Sequence, residues 1–119
     1  MERAYRKIAI LRYRSVVDMT SKDLTRAFKA LGHPTRLAIL QWLKDPASFP
    51  PQDQPADQVG VCLKHIQARA GVSQSTASQF MATLQQAGLV TCTRLGQWSH
   101  YRRDEPGIAA VASAVLHEV

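Results

Sequence analysis

A glycine followed by a helix-capping serine separates two helical patterns, and this turn restricts the fold more than any other feature of the sequence. The first pattern runs from Cys62 to Ala70 and stops at Gly71, and the second begins behind Ser73. Glycine readily takes the left-handed conformation that ends a helix, and serine accepts a hydrogen bond from the free N–H groups that begin one. Two short helices joined by so tight a turn predict a helix-turn-helix.

The second of these helices has one apolar face and one neutral polar face. Ala77, Met81 and Leu84 recur at i, i+4 and i+7, a spacing that predicts the buried side. The opposite side carries short hydroxyl and amide side chains. They can donate and accept hydrogen bonds without repelling phosphate, and therefore suit base edges in a major groove. These side chains belong to Ser75, Thr76, Gln79 and Thr83.

The distribution of charge favours a polyanionic partner. The chain of 119 residues has fifteen Lys and Arg against nine Asp and Glu, which gives a formal net charge of +6. No Asp or Glu lies between Gln58 and Arg103. The alternative interpretation, the solvated face of an ordinary helix, would predict a mixture of both signs. The cations of this stretch are Lys64, Arg69, Arg94, Arg102 and Arg103.

Size and cysteine content restrict the class of protein. The length suits one domain with a single core. Cys62 and Cys92 show no pairing pattern, which fits a reduced protein rather than a disulfide scaffold. No apolar run is long enough to span a bilayer, and the first thirty residues lack the pattern of a signal peptide. We therefore expect a cytoplasmic protein without a membrane partner.

The chain divides into a basic segment, residues 1–18, and a folded domain, residues 19–119. The segment has five Lys and Arg against two Asp and Glu and shows no clear helical or strand period. It is either a basic N-terminal arm that contacts DNA phosphates or an upstream extension without a function, because a well-capped helix opens at Met19. Both interpretations stay open.

Two helices and an irregular segment are expected before the helix-turn-helix. Thr20 or Ser21 caps the first helix. Pro34 fits the first turn of the second helix, which runs to about Lys44 and is apolar nearly all round, as a central core helix would be. Residues 45–61 contain four of the six prolines and are expected to form a long loop without regular structure. This loop is either a functional insertion or, as we favour, a surface decoration.

A β-hairpin is predicted after the helix-turn-helix. Leu89 to Leu95 has the pattern of a strand, Gly96-Gln97 that of a two-residue turn, and Trp98 to Arg103 that of the returning strand. Such a hairpin is the wing of a winged helix, and alternate residues of its returning strand share one face. The side chains expected to lie beside the DNA backbone or minor groove are Arg94, Gln97, Trp98, His100 and Arg102.

The last predicted helix opens at Glu105 and Pro106 and is apolar on more than one side. Its main stripe consists of Ile108, Val111, Ala112, Val115 and Val119. Alanines cover much of the remaining surface, so the helix needs a second partner besides its own core, and symmetric pairing with another subunit is the simplest one. The predicted fold is therefore mainly α-helical with a small β-hairpin, a homodimeric winged helix-turn-helix.

Four motifs in this order resemble those of a known family. They are Leu-Gly-His-Pro-Thr-Arg-Leu at 31–37, Ser-Gln-Ser-Thr-Ala-Ser-Gln at 73–79, Ala-Gly-Leu-Val at 87–90 and Gly-Gln-Trp at 96–98. Over roughly residues 20–118 the chain resembles the ArsR/SmtB family of bacterial winged-helix repressors. The resemblance implies a homodimer joined through its first and last helices. It also implies binding to an inverted repeat in double-stranded operator DNA, which is released when a small inducer of unknown identity binds.

The resemblance further assigns residues to two DNA-contacting elements. The major-groove motif matches Ser73, Gln74, Ser75, Thr76, Ser78 and Gln79. The wing matches Arg94, Gln97, His100 and Arg102. The chain departs from the family at position 80, where many members have histidine and this chain has Phe80. A DNA contact from that position is therefore in doubt, and Phe80 is expected to flank the core instead.

The metal sites of the family are poorly matched. Soft-metal members place a Cys-x-Cys pair at the start of the helix that begins here at Cys62, but Gly60 stands at the other position. A thiolate site needs three or four soft ligands. A second family site, on the last helix, expects an imidazole where Pro106 stands. We therefore expect no metal and no other cofactor.

Cys62 has two interpretations. At a helix N-terminus the dipole favours a reactive thiolate, which makes Cys62 a candidate thiol sensor; otherwise it is a small apolar residue that buries itself. No histidine stands in a nucleophile pattern and no glycine-rich phosphate loop occurs, so we expect no enzyme. The expected function is a sequence-specific DNA-binding transcriptional regulator, an inducer-released repressor. The alternatives are a winged-helix protein-interaction module that does not bind DNA, and a redox-switched regulator that acts through Cys62.

Overall fold

The computed structural model describes residues 19–119, so both interpretations of residues 1–18 concern a segment that lies outside the described residues. The domain is mainly α-helical and contains a three-stranded antiparallel sheet. Its elements are α1 (Ser21–Leu31), α2 (Pro34–Trp42), a 3-10 turn (Pro46–Ser48), α3 (Ala56–Val59), β1 (Val61–Cys62), α4 (Leu63–Ala70), α5 (Gln74–Gln86), β2 (Val90–Leu95), β3 (Trp98–Arg103) and α6 (Glu105–Glu118).

Caps fix the starts of the first two helices, and Thr20 caps the first of them as predicted. The hydroxyl of Thr20 accepts a hydrogen bond from the backbone N–H of Asp23 at 3.1 Å, and the Asp23 carboxylate accepts one from the N–H of Thr20 at 3.0 Å. This bond from the Thr20 backbone lowers the pKa of Asp23. His33 Nδ1 caps α2 by accepting from the backbone N–H of Thr35 at 3.2 Å. α2 ends at Trp42, slightly before the predicted boundary.

The core lies between the helices and the inner face of the sheet. Ala77, Met81 and Leu84 of α5 are fully buried, which confirms the stripe predicted from their spacing. α2 contributes Ile39, whereas Leu37 on the same helix is 40% exposed. The apolar surface of α2 is therefore only partly used by this core. The largest fully buried side chains are Ile39, Val61, Ile66, Met81, Leu84, Leu89 and Val90.

The prediction that residues 45–61 contain no regular structure is wrong. They form a 3-10 turn, the short helix α3 and the first residue of β1. Pro46 and Pro55 do not break these elements, because each stands at a start, where a missing N–H is harmless. The segment is also more than a surface decoration. The side chain of Phe49 is buried in the core, where the guanidinium of Arg69 lies 4.9 Å from its ring centroid.

The predicted hairpin is present and belongs to a larger sheet. β2 and β3 pair in antiparallel register, with Leu95 opposite Trp98 next to the turn. On its other edge β3 pairs with β1, which places Cys62 opposite His100, so the strand order is β1-β3-β2. Because α4 follows β1 directly, the third strand ties the helix-turn-helix to the wing.

α6 returns along α1 and leaves an apolar surface. Asp104 caps α6, because its carboxylate accepts a hydrogen bond from the backbone N–H of Gly107 at 3.0 Å. An apolar groove of about 480 Å³ runs between α1 and α6. It is lined by Phe28, Leu31, Leu40, Leu89, Ile108, Val111, Ala112, Val115 and Leu116.

Within residues 19–119, no helix combines the length and the apolar character needed to cross a bilayer.

Candidate nucleic-acid interface

The turn between α4 and α5 is built as the sequence predicts. Gly71 takes the left-handed conformation, with φ 66° and ψ 36°. Ser73 caps α5, because its hydroxyl oxygen accepts from the backbone N–H of Thr76 at 3.1 Å. The same hydroxyl lies 2.9 Å from Thr76 Oγ1 and 3.2 Å from Ser75 Oγ. Ser73 therefore stabilises the start of α5. The exposed polar side chains of α5 follow it along the helix.

Four of the predicted groove residues present exposed side chains on α5: Gln74, Ser75, Ser78 and Gln79. Thr76 and Thr83 are half-buried. Within the described chain, neither Gln74 nor Gln79 uses its side-chain amide in a hydrogen bond. A glutamine amide has both a donor and an acceptor and can bind the N6 and N7 edge of adenine. The helix thus presents uncommitted amides on its outer face.

A groove of about 320 Å³ lies between α5 and the wing. Gln74 and Ser78 of α5 form one wall, and Arg94 and Gln97 of the hairpin form the other. Lys64 of α4 lies between them, with its ammonium 5.3 Å from the ring centroid of Trp98. The groove therefore combines neutral hydrogen-bonding groups with two cations and contains no carboxylate, a composition that suits a phosphate backbone and the bases beside it.

Two residues predicted for the wing surface lie elsewhere. His100 is only 5% exposed, so its side chain cannot contact DNA in this arrangement, and the expectation for it is corrected. Arg102 is exposed, but its guanidinium donates to the backbone carbonyl of Gln58 at 2.9 Å, on the face of the sheet away from Arg94. The alternation of faces along β3 was predicted correctly. Which face of β3 is buried depends on β1 and α3, and neither of these elements had been predicted.

Thr83 lies on the flank of α5 away from the wing. It lines a shallow depression with Lys22, Arg26 and Lys29 of α1. These three cations recur at i, i+4 and i+7, so they form one basic stripe beside α5. The spacing of these cations can be read from the sequence, but only the packing of α1 against α5 shows where the stripe lies.

Phe80 flanks the core, as its departure from the family pattern indicated. Its ring centroid lies 4.8 Å from that of His33, and the guanidinium of Arg36 lies 5.7 Å from the ring. Arg36 also donates to the carbonyls of Ala30 and Lys29 at 3.0 and 2.9 Å, which satisfies the C-terminal end of α1. Phe80 therefore joins α5 to the α1–α2 corner.

A second, smaller cavity of about 220 Å³ lies behind the wing. Cys62 lines it and is only 4% exposed, opposite the buried His100. Burial raises the pKa of the neighbouring Tyr101, and the adjacent Cys92 raises it further. Across residues 19–119, no three His, Cys, Asp or Glu side chains lie together in a group that could hold a metal ion.

The chain is similar to two regulators at the level of sequence. It is 40% identical over 94 residues to the uncharacterized HTH-type transcriptional regulator YbzH of Bacillus subtilis, covering 77% of this chain and 94% of that protein. It is 35% identical over 88 residues to the putative arsenical resistance operon repressor ArsR2 of Halobacterium salinarum, covering 74% of this chain and 64% of that protein. No protein-family model matches the chain.

A solved structure supports the same fold. The homodimeric winged helix-turn-helix DNA-binding domain of a possible ArsR-family transcriptional regulator from Mycobacterium bovis, determined by solution NMR, superimposes with a TM-score of 0.56. The two chains are 24% identical, and the match covers 88% of this chain and 82% of the other. At this identity the likeness concerns the arrangement of helices and wing.

Proposed function

We propose that this chain represses transcription by binding an inverted repeat as a homodimer, because it belongs to the ArsR family of winged helix-turn-helix transcriptional regulators. The observation that carries this proposal is the groove between α5 and the wing. There Gln74 and Ser78 lie opposite Arg94 and Gln97 in a stretch of chain that has no carboxylate. We further propose a cytoplasmic protein without catalytic activity, whose operator complex a small inducer dissociates.

The two walls of the groove have different tasks in this mechanism. α5 enters the major groove, where Ser75 and Gln79 on its exposed face donate to and accept from base edges. Arg94 and Lys64 neutralise phosphates beside it, so they supply affinity that depends on salt and carries little sequence information. Two such helices in a dimer would lie about 34 Å apart, one turn of the duplex.

The homodimer is supported by the apolar groove between α1 and α6. Its wall includes Phe28 of α1 and Val115 and Leu116 of α6, all of which are exposed in the single subunit. A contiguous apolar surface of this kind is unfavourable in water, and a two-fold axis through it would cover both copies at once. The structural neighbour from Mycobacterium bovis is a homodimeric domain, which supports the same assembly here.

The variant Gln79→Ala tests the base-reading role. Because a glutamine that contacts a base stabilises only the cognate complex, operator affinity should fall by about 1–3 kcal/mol while binding to random duplex barely changes. Gln85→Ala, which removes an exposed glutamine in the last turn of the same helix, is the matched control and should leave both affinities unchanged. The operator is first selected from a random pool, and both affinities are then measured by fluorescence anisotropy.

Two outcomes would contradict the proposal at different levels. An equal loss on operator and random DNA would remove Gln79 from base reading but keep the DNA-binding function. If the parent protein does not bind duplex DNA even at low salt, where phosphate contacts are strongest, the chain is instead a protein-interaction module.

A further inference from the structure

The cavity behind the wing brings together two groups that operator binding does not use. Cys62 of β1 and His100 of β3 are direct partners across the antiparallel register, and both line the cavity. Residues opposite each other in such a pair have Cβ atoms roughly 4.5–5.5 Å apart. Within the described chain, His100 Nδ1 is buried and makes no hydrogen bond. Buried polar atoms are normally satisfied, so this nitrogen indicates a missing partner.

The walls of the cavity define the kind of molecule that would fit. Leu95 and Trp98 supply apolar surface, and the polar lining residues besides His100 are Gln52, Asp53, Gln54 and Lys64. The volume of about 220 Å³ admits a small organic molecule rather than a single water. A suitable occupant therefore combines a short apolar part with one oxygen that can accept a hydrogen bond from the imidazole.

The position of the two cysteines decides which thiol chemistry is available. Cys62 shares its sheet face with His100, whereas Cys92 is paired with Tyr101 and lies on the opposite face. An intramolecular disulfide between the cysteines would need both sulfurs on one side of the sheet. The cavity thus offers a single sulfur beside the His100 imidazole, which suits addition to a carbonyl compound better than an oxidative switch that needs two thiols.

We propose that Cys62 is a modification site for small α,β-unsaturated carbonyl compounds. The sulfur of Cys62 forms a bond to the β-carbon, the carbon–carbon π bond opens, and the thiol proton finally resides on the α-carbon. The carbonyl oxygen accepts a hydrogen bond from the imidazole N–H of His100 during the addition. No group leaves and no oxidant or reductant is consumed.

An adduct in this cavity would disturb the DNA groove, because the two sites share a wall. Lys64 and Trp98 line both, and the Lys64 ammonium lies over the Trp98 ring at 5.3 Å. Cys62 is also the residue that precedes α4, the first helix of the helix-turn-helix. Added volume at its sulfur would displace the wing, the start of α4, or both. This regulatory step rests on the operator-binding function proposed above.

Methyl vinyl ketone is the probe for the modification site, with adducts located by peptide mass spectrometry. In the folded protein Cys62 should react faster than Cys92, and this preference should vanish in urea. His100→Gln should slow the reaction at Cys62 while that at Cys92 stays constant; equal acceleration of both would report unfolding of the variant. A Cys62 that reacts in urea but not in the folded protein would overturn the site, even if the His100 variant does not fold.

Operator affinity of the adduct tests the regulatory step. Addition at Cys62 should weaken operator binding about tenfold, within the usual range of coupling between two sites. Cys62→Ser should abolish the effect, since serine is also an accepted helix cap, and Cys92→Ser should retain it. An adduct that binds as tightly as the unmodified protein would overturn the regulation. A parent protein that does not bind DNA would instead refute the operator-binding function and leave the mass measurement valid.

Discussion

Gly60 shows how one residue without a side chain allows the third strand to form. Its φ of 100° and ψ of 177° lie in a region that is essentially restricted to glycine. A Cβ at this position would lie 2.6 Å from the carbonyl carbon and oxygen of Tyr101. The close approach of the two backbones is what lets β1 pair with β3. Both the positive φ of Gly60 and its close contact with Tyr101 therefore require a residue without a side chain at this position.

Gly60→Ala should lower the free energy of unfolding by about 3 kcal/mol or more, since backbone strain and steric overlap add together. Gly71→Ala is the matched control. It also replaces a glycine with positive φ, but a Cβ there would have no atom within 4 Å, so only about 1 kcal/mol should be lost. Urea denaturation measures both. Equal losses in the two variants would show that the contact with Tyr101 does not matter.

At the scale of elements, the proline-containing segment 45–61 is held to the sheet by one side chain. The Gln52 amide nitrogen donates to the carbonyls of Gln54 and Gly60, each at 2.8 Å, and its oxygen accepts from the N–H of Cys62 at 3.0 Å. β1 is an edge strand, whose outer backbone groups would otherwise need other partners. Gln52 therefore acts as a substitute for a further strand at this edge.

Gln52→Ala should destabilise the domain by about 1–3 kcal/mol, because part-buried backbone groups of Gly60 and Cys62 lose their partner. Gln54→Ala removes an exposed side chain that makes no hydrogen bond within residues 19–119, so its stability should match that of the parent. Thermal and urea unfolding compare the two. If Gln52→Ala is as stable as Gln54→Ala, the segment is held by Phe49 and its neighbours instead.

At the scale of the whole molecule, the apolar groove between α1 and α6 indicates where a second subunit binds. Leu116 lines this groove and is 78% exposed, whereas Val119 is 83% exposed but does not contribute to it. Both side chains project from the end of the same terminal segment. They differ in whether a two-fold partner would cover them.

Leu116→Glu should dissociate the proposed dimer, because the symmetry places two charges in one apolar interface. Analytical ultracentrifugation at a concentration where the parent is dimeric should show monomers, and affinity for the full inverted repeat should fall toward that for a half-site. Val119→Glu introduces the same charge nearby and should remain dimeric. A monomeric parent, or a dimer that survives Leu116→Glu, would exclude this surface as the interface.

All helices except α3, the turn between α4 and α5, and the hairpin could be predicted from the sequence, because each depends on local rules. The spacing of Ala77, Met81 and Leu84 identified the buried side of α5, and the capping residue Thr20 and the first-turn residue Pro34 identified two helix starts. Predicting the DNA face of the wing was less successful. The period of β3 places His100 and Arg102 on one face, but the period contains no information about what covers that face.

The sequence by itself determined the order and kind of the elements in the helix-turn-helix and wing, since propensities, caps and periodicity act between near neighbours. Only the tertiary structure decided that β1 adds to the sheet, that His100 is buried opposite Cys62, and that a basic stripe on α1 lies beside α5. These features depend on contacts between residues far apart in the chain. Their energies come from packing and strand pairing, which no local pattern encodes.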